Sequence, residues 1–268
     1  MINIFDYVNF INLDEVKKIS RQYNNVGMIP KVIYYYGNII VKNKYLDNIV
    51  SIKKFIKKNS DWKIHMINVY ECADEFPEIK DIVKFLLKKR FFGYLSDIMR
   101  LLYLHKFGGM WIDTDVELHK PVEDCYLKSD YILCNESFID VGETFKERID
   151  SGVMLFKPKS ELCGLFLKHI IEEYTEFIKK DVYNPDVYYS VMLPDILKKS
   201  IEKNGIKIMP LNKIDEKYVT NTNTLKNNLY LLYGDYFSRD KIYKEDISED
   251  KYYATHKFFN SWVNNWKR

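Results

Sequence analysis

Between residues 94 and 116 the hydrophobic pattern changes period in a way that few folds accommodate. A helical repeat covers residues 94–107, Gly108-Gly109 interrupts it, and the apolar triplet Met110-Trp111-Ile112 leads directly into Asp113-Thr114-Asp115. Glycine can take the positive φ that closes a helix C-terminus, so the pair predicts a helix stop followed at once by a buried strand. A helix joined this tightly to a strand belongs to a layered α/β sheet, and open sheets of that kind place their ligands at the carboxyl ends of the strands. The two acids stand at that end.

The flanking sequence repeats the alternation. Pro30 opens a β-branched and aromatic run, Lys31-Val32-Ile33-Tyr34-Tyr35-Tyr36, which reads as the first core strand and is stopped by Gly37-Asn38. Leu46, Ile49, Val50, Ile52, Phe55 and Ile56 then recur at helical spacing, with Lys53, Lys54, Lys57 and Lys58 off the stripe. Residues 62–70 read as a second strand and residues 77–90 as a helix. Further strands are predicted at 131–134, 152–156, 206–209 and 230–233, and further helices at 162–179 and 187–199. Residues 1–28 form an N-terminal extension with a short helix over 13–23, and residues 29–268 form one domain. The fold class this predicts is α/β, with a mixed, mostly parallel central sheet flanked by helices.

Composition narrows the function. Hydrophobic residues are 47% and charged residues 29%, a globular balance, and 41 basic against 38 acidic residues leave a formal charge of +3. So even a balance carries no footprint of a nucleic-acid partner. Cys72, Cys125, Cys134 and Cys163 include no C-x-x-C pair and no zinc or disulfide spacing, which points to a reducing compartment. The start lacks a basic, apolar leader, and no stretch approaches the ~18 apolar residues of a membrane span. These features predict a cytoplasmic protein that at most contacts a membrane from its surface.

On an extended segment side chains alternate, so Asp113 and Asp115 would point to one side and could share a cation. Carboxylates suit Mg²⁺ or Mn²⁺, which bridge a few acids to substrate phosphates. An isolated D-x-D is usually a solvated turn; here the context selects it. Asp97 and Arg100, three apart on the preceding helix, share a face, where the simplest role is a structural ion pair. His65, His105, His119 and His169 read as structural or surface histidines. The lysines on the 46–58 helix and Lys88-Lys89-Arg90 read as solvated faces. Their alternative role is contact with an anionic membrane carrying a lipid-linked acceptor.

Ser96-Asp97-Ile98-Met99-Arg100 followed by Phe107-Gly108-Gly109-Met110-Trp111-Ile112-Asp113-Thr114-Asp115-Val116 resembles the signature of the DXD-motif glycosyltransferases of the family 32 type. That group includes capsular polysaccharide transferases and initiating α-1,6-mannosyltransferases and, more distantly, the clostridial glucosylating toxins. Ile29-Pro30-Lys31-Val32-Ile33 resembles the family's first strand, and residues 256–262 its C-terminal His-His-aromatic-x-x-Ser-Trp segment, so the likeness spans roughly residues 29–266. It implies a GT-A-like fold, a divalent metal, a nucleoside-diphosphate sugar donor (UDP-sugar favoured over GDP-sugar), a glycan or lipid-linked glycan acceptor, and retention of configuration.

The resemblance also implies site roles. Asp113 would contact the ribose or sugar, and Asp115 would ligate the metal, with Asp113 sharing it. Asp97 and Arg100 would hold donor-sugar hydroxyls or the adjoining phosphate. His256, with Asn260, Ser261 and Trp262, would close over the diphosphate, His256 or Asn260 completing the metal shell. Tyr34, Tyr35 and Tyr36 would sit where the first-strand loop packs against the base. Asp150-Ser151-Gly152-Val153 also looks like the Asn-x-Gly-Val segment of glycogenin-type transferases, which makes Asp150 a sugar contact or catalytic carboxylate. The sequence departs from the pattern at Lys257, where the second histidine of the pair would stand, and in its tyrosines after the first strand. Two other functions fit the same acids: a metal phosphohydrolase acting on nucleotide sugars, and a non-catalytic glycan-binding module.

Overall fold

A computed structural model of the protein describes residues 2–37, 40–41, 45–134, 149–180, 192–211, 228–232, 238–240 and 253–256. In chain order these form β1 (Ile2–Asn3), α1 (Leu13–Asn25), β2 (Val32–Tyr35), β3 (Ile40–Val41), α2 (Leu46–Lys58), β4 (Lys63–Met66), α3 (Val69–Glu75), α4 (Lys80–Lys88) and α5 (Phe92–Phe107). There follow β5 (Gly109–Ile112), β6 (Val116–Leu118), β7 (Tyr131–Ile132), β8 (Val153–Phe156), α6 (Glu161–Lys180), α7 (Leu193–Lys203), β9 (Lys207–Leu211), β10 (Asn228–Leu232), β11 (Ser238–Asp240) and β12 (Ala254–His256).

The central sheet has the order β4-β2-β5-β8-β7. Strand β2 pairs in parallel with β4 and β5, while β8 runs antiparallel to both β5 and β7. One reversed strand in an otherwise parallel sheet is the mixed architecture expected from the alternating pattern.

Every residue of β2, β5 and β8 is buried, and strand alternation divides them between two apolar layers. Val32, Tyr34, Trp111, Met154 and Phe156 face the layer of α3 to α7. Ile33, Tyr35, Met110, Ile112, Val153 and Leu155 face the layer of α2 and β6. Helix α5 lies deepest, apolar on nearly all sides because it packs between the sheet and α4 and α6. No helix among the described residues is long and apolar enough to cross a membrane.

The first residues, read as an extension, pack into both layers: Ile4 and Val8 into one, Leu13 and Val16 into the other. Helix α1 starts in a capping box between Asn12 and Glu15. The strand predicted over 62–70 ends at Met66, because the Asn68 side chain accepts the Tyr70 N–H at 2.8 Å and caps α3. The helix predicted over 77–90 opens as a 3-10 turn, Pro77–Ile79, and ends before Arg90, whose φ of 59° is left-handed. The predicted helix over 187–199 is described from Leu193 and runs on to Lys203.

The α5–β5 junction follows the glycine pair. Gly108 has φ 66° and donates its N–H to the Leu104 carbonyl at 2.9 Å. A Cβ there would lie 2.6 Å from Pro158 Cδ and 2.8 Å from Pro30 Cδ. Both the φ and the lack of space select glycine. Gly108→Ala is therefore expected to lower stability by about 2–3 kcal/mol, read as a lower urea midpoint with an unchanged slope.

Candidate active site

Trp111 and Asp113 are two residues apart on an extended path, so both side chains face α5. The indole Nε1–H donates to Asp113 Oδ1 at 2.7 Å, supplying the partner that a fully buried tryptophan requires. Arg100, on α5, donates from Nη2 to the same oxygen at 2.7 Å and lies 3.5 Å from Asp97 Oδ1. Its Nη1 donates to the Ser151 carbonyl, and its guanidinium stacks 4.9 Å from the centre of the Trp111 ring. Two donors thus converge on one oxygen of Asp113 and fix its carboxylate.

The three residues Asp113-Thr114-Asp115 are not extended. They form the turn from β5 to β6, closed by Val116 N–H donating to the Asp113 carbonyl at 3.1 Å. The two acids converge through this turn rather than through strand alternation. The Thr114 carbonyl at its apex accepts from Asn48 Nδ2 at 2.9 Å, and the Leu118 N–H donates to Ser51 Oγ at 3.1 Å. Asn48 is fully buried on the inner face of α2. Sequence reasoning missed it, although a polar residue beside Ile49 and Ile52 in an apolar stripe is the signal that marks it.

Strand β6 then leaves the central sheet and pairs antiparallel with β12, in a register that sets His256 opposite Val116. That register brings the imidazole to the acids: Nε2 lies 3.4 Å from Asp115 Oδ1, and Nδ1 lies 3.3 Å from Asp150 Oδ1. Ligand atoms of Asp113, Asp115 and His256 all lie within 4.8 Å of one another. Two carboxylates and an imidazole this close fit one divalent cation, since bonds of about 2.1 Å put opposite ligands about 4.2 Å apart.

Burial shapes the charges. It raises the pKa of Asp113, against the pull of Arg100. Burial also pushes Asp97 up to about 7, again opposed by Arg100. Burial would lower the pKa of His256, but Asp150 and Asp115 outweigh it and hold the imidazole well above its ordinary value.

The predicted residues thus divide. Asp97, Arg100, Asp113, Asp115, Asp150 and His256 come together. Arg100 has both Nη groups engaged with protein oxygens, so it orients Asp113 rather than standing free for a phosphate. Tyr34 and Tyr35 are corrected: both are core residues, 0% and 1% exposed. Tyr34 lies edge-on to His65 and Tyr103 in the helical layer, and Tyr35 lies in the opposite layer beside Gly37. Neither ring is available to stack on a base, because a parallel strand covered on both faces buries every side chain it carries. Tyr36 is half-buried against the helical layer. Asn260, Ser261 and Trp262 lie outside the described residues.

A mostly parallel sheet with a carboxylate–imidazole cluster at the carboxyl end of β5 makes this an α/β protein whose candidate ligand site lies where open sheets place theirs. The chain matches the family described as capsular polysaccharide synthesis protein over residues 46–261, and it belongs to that family. The enzyme class expected from the sequence, a glycosyltransferase, is borne out. Among solved structures, one named PaToxG glycosyltransferase is similar with a TM-score of 0.46 and 13% identity, over 71% of this chain and 77% of its own. A transferase variant with two cysteine-to-serine substitutions is similar with a TM-score of 0.33 and 13% identity, over 73% of this chain and 89% of its own. No curated protein matches the chain.

Removing one partner of a buried ion pair strands the other charge. Arg100→Leu is expected to lower stability by about 3–5 kcal/mol, measured by chemical unfolding. Gly152→Ala tests the His256 position, since a Cβ there would lie 2.5 Å from His256 Cε1. It is expected to displace the ring, visible as a shifted histidine resonance by NMR.

Proposed function

We propose that the protein transfers a hexose or N-acetylhexosamine from a nucleoside-diphosphate sugar to a glycan or lipid-linked glycan acceptor, with a divalent metal at Asp113, Asp115 and His256. The observation that carries this reading is the convergence of those three side chains at the carboxyl end of β5. Family membership supplies the saccharide chemistry. When bound, Mn²⁺ or Mg²⁺ supplies the positive charge that stabilises a departing diphosphate.

The chain's own residues prepare that site. Arg100 and Trp111 both donate to Asp113 Oδ1 and so fix the orientation of the carboxylate beside Asp115 and His256. Asn48 holds the turn that carries both acids. Preorganisation of this kind spares the site from reordering its ligands as the substrate arrives. Asp97, half-buried behind Arg100, borders the same cluster and suits a donor-sugar hydroxyl. UDP is the favoured carrier and retention the expected stereochemistry, both from the resemblance of residues 29–266 to DXD-motif transferases. The acceptor is of the polysaccharide or glycolipid class.

Asp115→Asn is expected to lower kcat on the order of 10²–10³-fold, with the thermal midpoint moving by only a few degrees; turnover equal to that of the unaltered protein would remove Asp115 from the site. A panel of UDP- and GDP-sugars, with and without acceptor glycans, tests the reaction itself. Nucleotide release that needs Mn²⁺ and rises with acceptor supports transfer. Hydrolysis that no acceptor redirects rejects it in favour of a phosphohydrolase.

A further inference from the structure

We propose that Asp150 is a positioning residue for His256: its carboxylate sets the imidazole so that Nε2 is the nitrogen presented to Asp113 and Asp115. This rests on the metal-site reading above and changes the role of Asp150, which the sequence alone marks as a sugar contact or catalytic carboxylate.

Asp150 is placed to act through the histidine. Its side chain is 4% exposed, which leaves little surface for a sugar hydroxyl to reach. Its Oδ1 accepts the Gly152 N–H at 2.7 Å and faces His256 Nδ1 at 3.3 Å. Its backbone N–H donates to the Cys134 carbonyl at 2.9 Å, tying this loop to the chain that follows β7. The orientation of the carboxylate is therefore set from both sides before the imidazole meets it.

The histidine in turn has little freedom left. A Cβ on Gly152 would lie 2.5 Å from His256 Cε1 and 2.6 Å from Nδ1, so the ring rests directly on the Gly152 backbone and cannot slide along it. The Gly152 carbonyl accepts the Asp113 N–H at 2.9 Å, so the surface under the ring is joined to the turn bearing the acids. What remains undetermined is which edge of the ring faces the cluster. A half-turn of the imidazole would replace each nitrogen by a carbon, setting a carbon against Asp150 and another against Asp115 and losing both polar contacts. With Nδ1 facing the Asp150 carboxylate across 3.3 Å, Nε2 is the nitrogen turned toward Asp115. The nitrogen that binds a metal is the one opposite the nitrogen held by such a partner.

Titration of the free protein with Mn²⁺ alone, followed by the electron paramagnetic resonance signal of unbound ion, tests the assignment. Asp150→Ala is expected to weaken Mn²⁺ binding by about 10–100-fold. Asp150→Asn is expected to recover most of the affinity, because its amide oxygen still accepts from the Gly152 N–H and still faces Nδ1. The Asp150→Ala/His256→Ala pair should bind no more weakly than His256→Ala, since Asp150 acts only through the ring. If Asp150→Ala does not fold, Asp150→Ser, too short to reach the ring, is expected to show the same loss. Unchanged Mn²⁺ affinity in Asp150→Ala or Asp150→Ser, with a raised KM for the donor sugar, overturns the proposal and returns Asp150 to the sugar. Failure of the unaltered protein to bind Mn²⁺ overturns the metal reading and this proposal with it, a result distinct from loss in the variants alone.

Discussion

The site depends on a charge that burial would not tolerate without partners. Arg100 is 2% exposed in the middle of the most deeply buried helix, and a guanidinium there stays only if oxygen acceptors surround it. Asp113, Asp97 and the Ser151 carbonyl supply them, and the Trp111 ring covers one face. Because Arg100 stands on α5 and Asp113 at the end of β5, this pair closes the loop of chain around Gly108-Gly109. It fixes the side chain of the first acid while the helix and strand fix its backbone.

From Asp113 the order spreads through the backbone. Its N–H is held by the Gly152 carbonyl, which lies in the segment leading into β8. That strand runs in the opposite direction to β5, so its start, not its end, meets the acids. The reversed strand thus places Asp150, Ser151 and Gly152 at the same sheet edge as the carboxyl end of β5. Strand β6 performs the second step: it turns out of the central sheet and offers an edge to β12. A shift of one residue in that pairing would turn His256 to the opposite face.

Two apolar layers keep this edge rigid. The inner face of α2 carries Ile49, Ile52 and Phe55 into one layer and, among them, Asn48 and Ser51, which hold the turn and the end of β6. The same strand alternation that buries the tyrosines of β2 on both sides makes them supports of the site. Tyr35 lies beneath it, where a Cβ on Gly37 would come 2.9 Å from its hydroxyl and 2.8 Å from Thr114 Cγ2.

The resemblance of residues 256–262 brought in His256; by itself the sequence determined the alternation of strands and helices, the helix stop at Gly108, the strand that bears the acids, and the spacing of Asp97, Arg100, Asp113 and Asp115. These are local signals: a change of hydrophobic period, a glycine pair, and charged residues at fixed spacing. Its local logic failed where packing overruled it, as at Asn68, whose cap converts the end of a predicted strand into α3, and at Tyr34 and Tyr35, whose exposure a strand pattern cannot state. Only the tertiary structure decided that the acids meet in a turn, that β8 is reversed, and that His256 comes between Asp115 and Asp150. Those facts are pairings of residues up to 141 positions apart in the sequence, Asp115 and His256. A chain encodes such pairings only through the joint packing of both layers, so no single segment displays them.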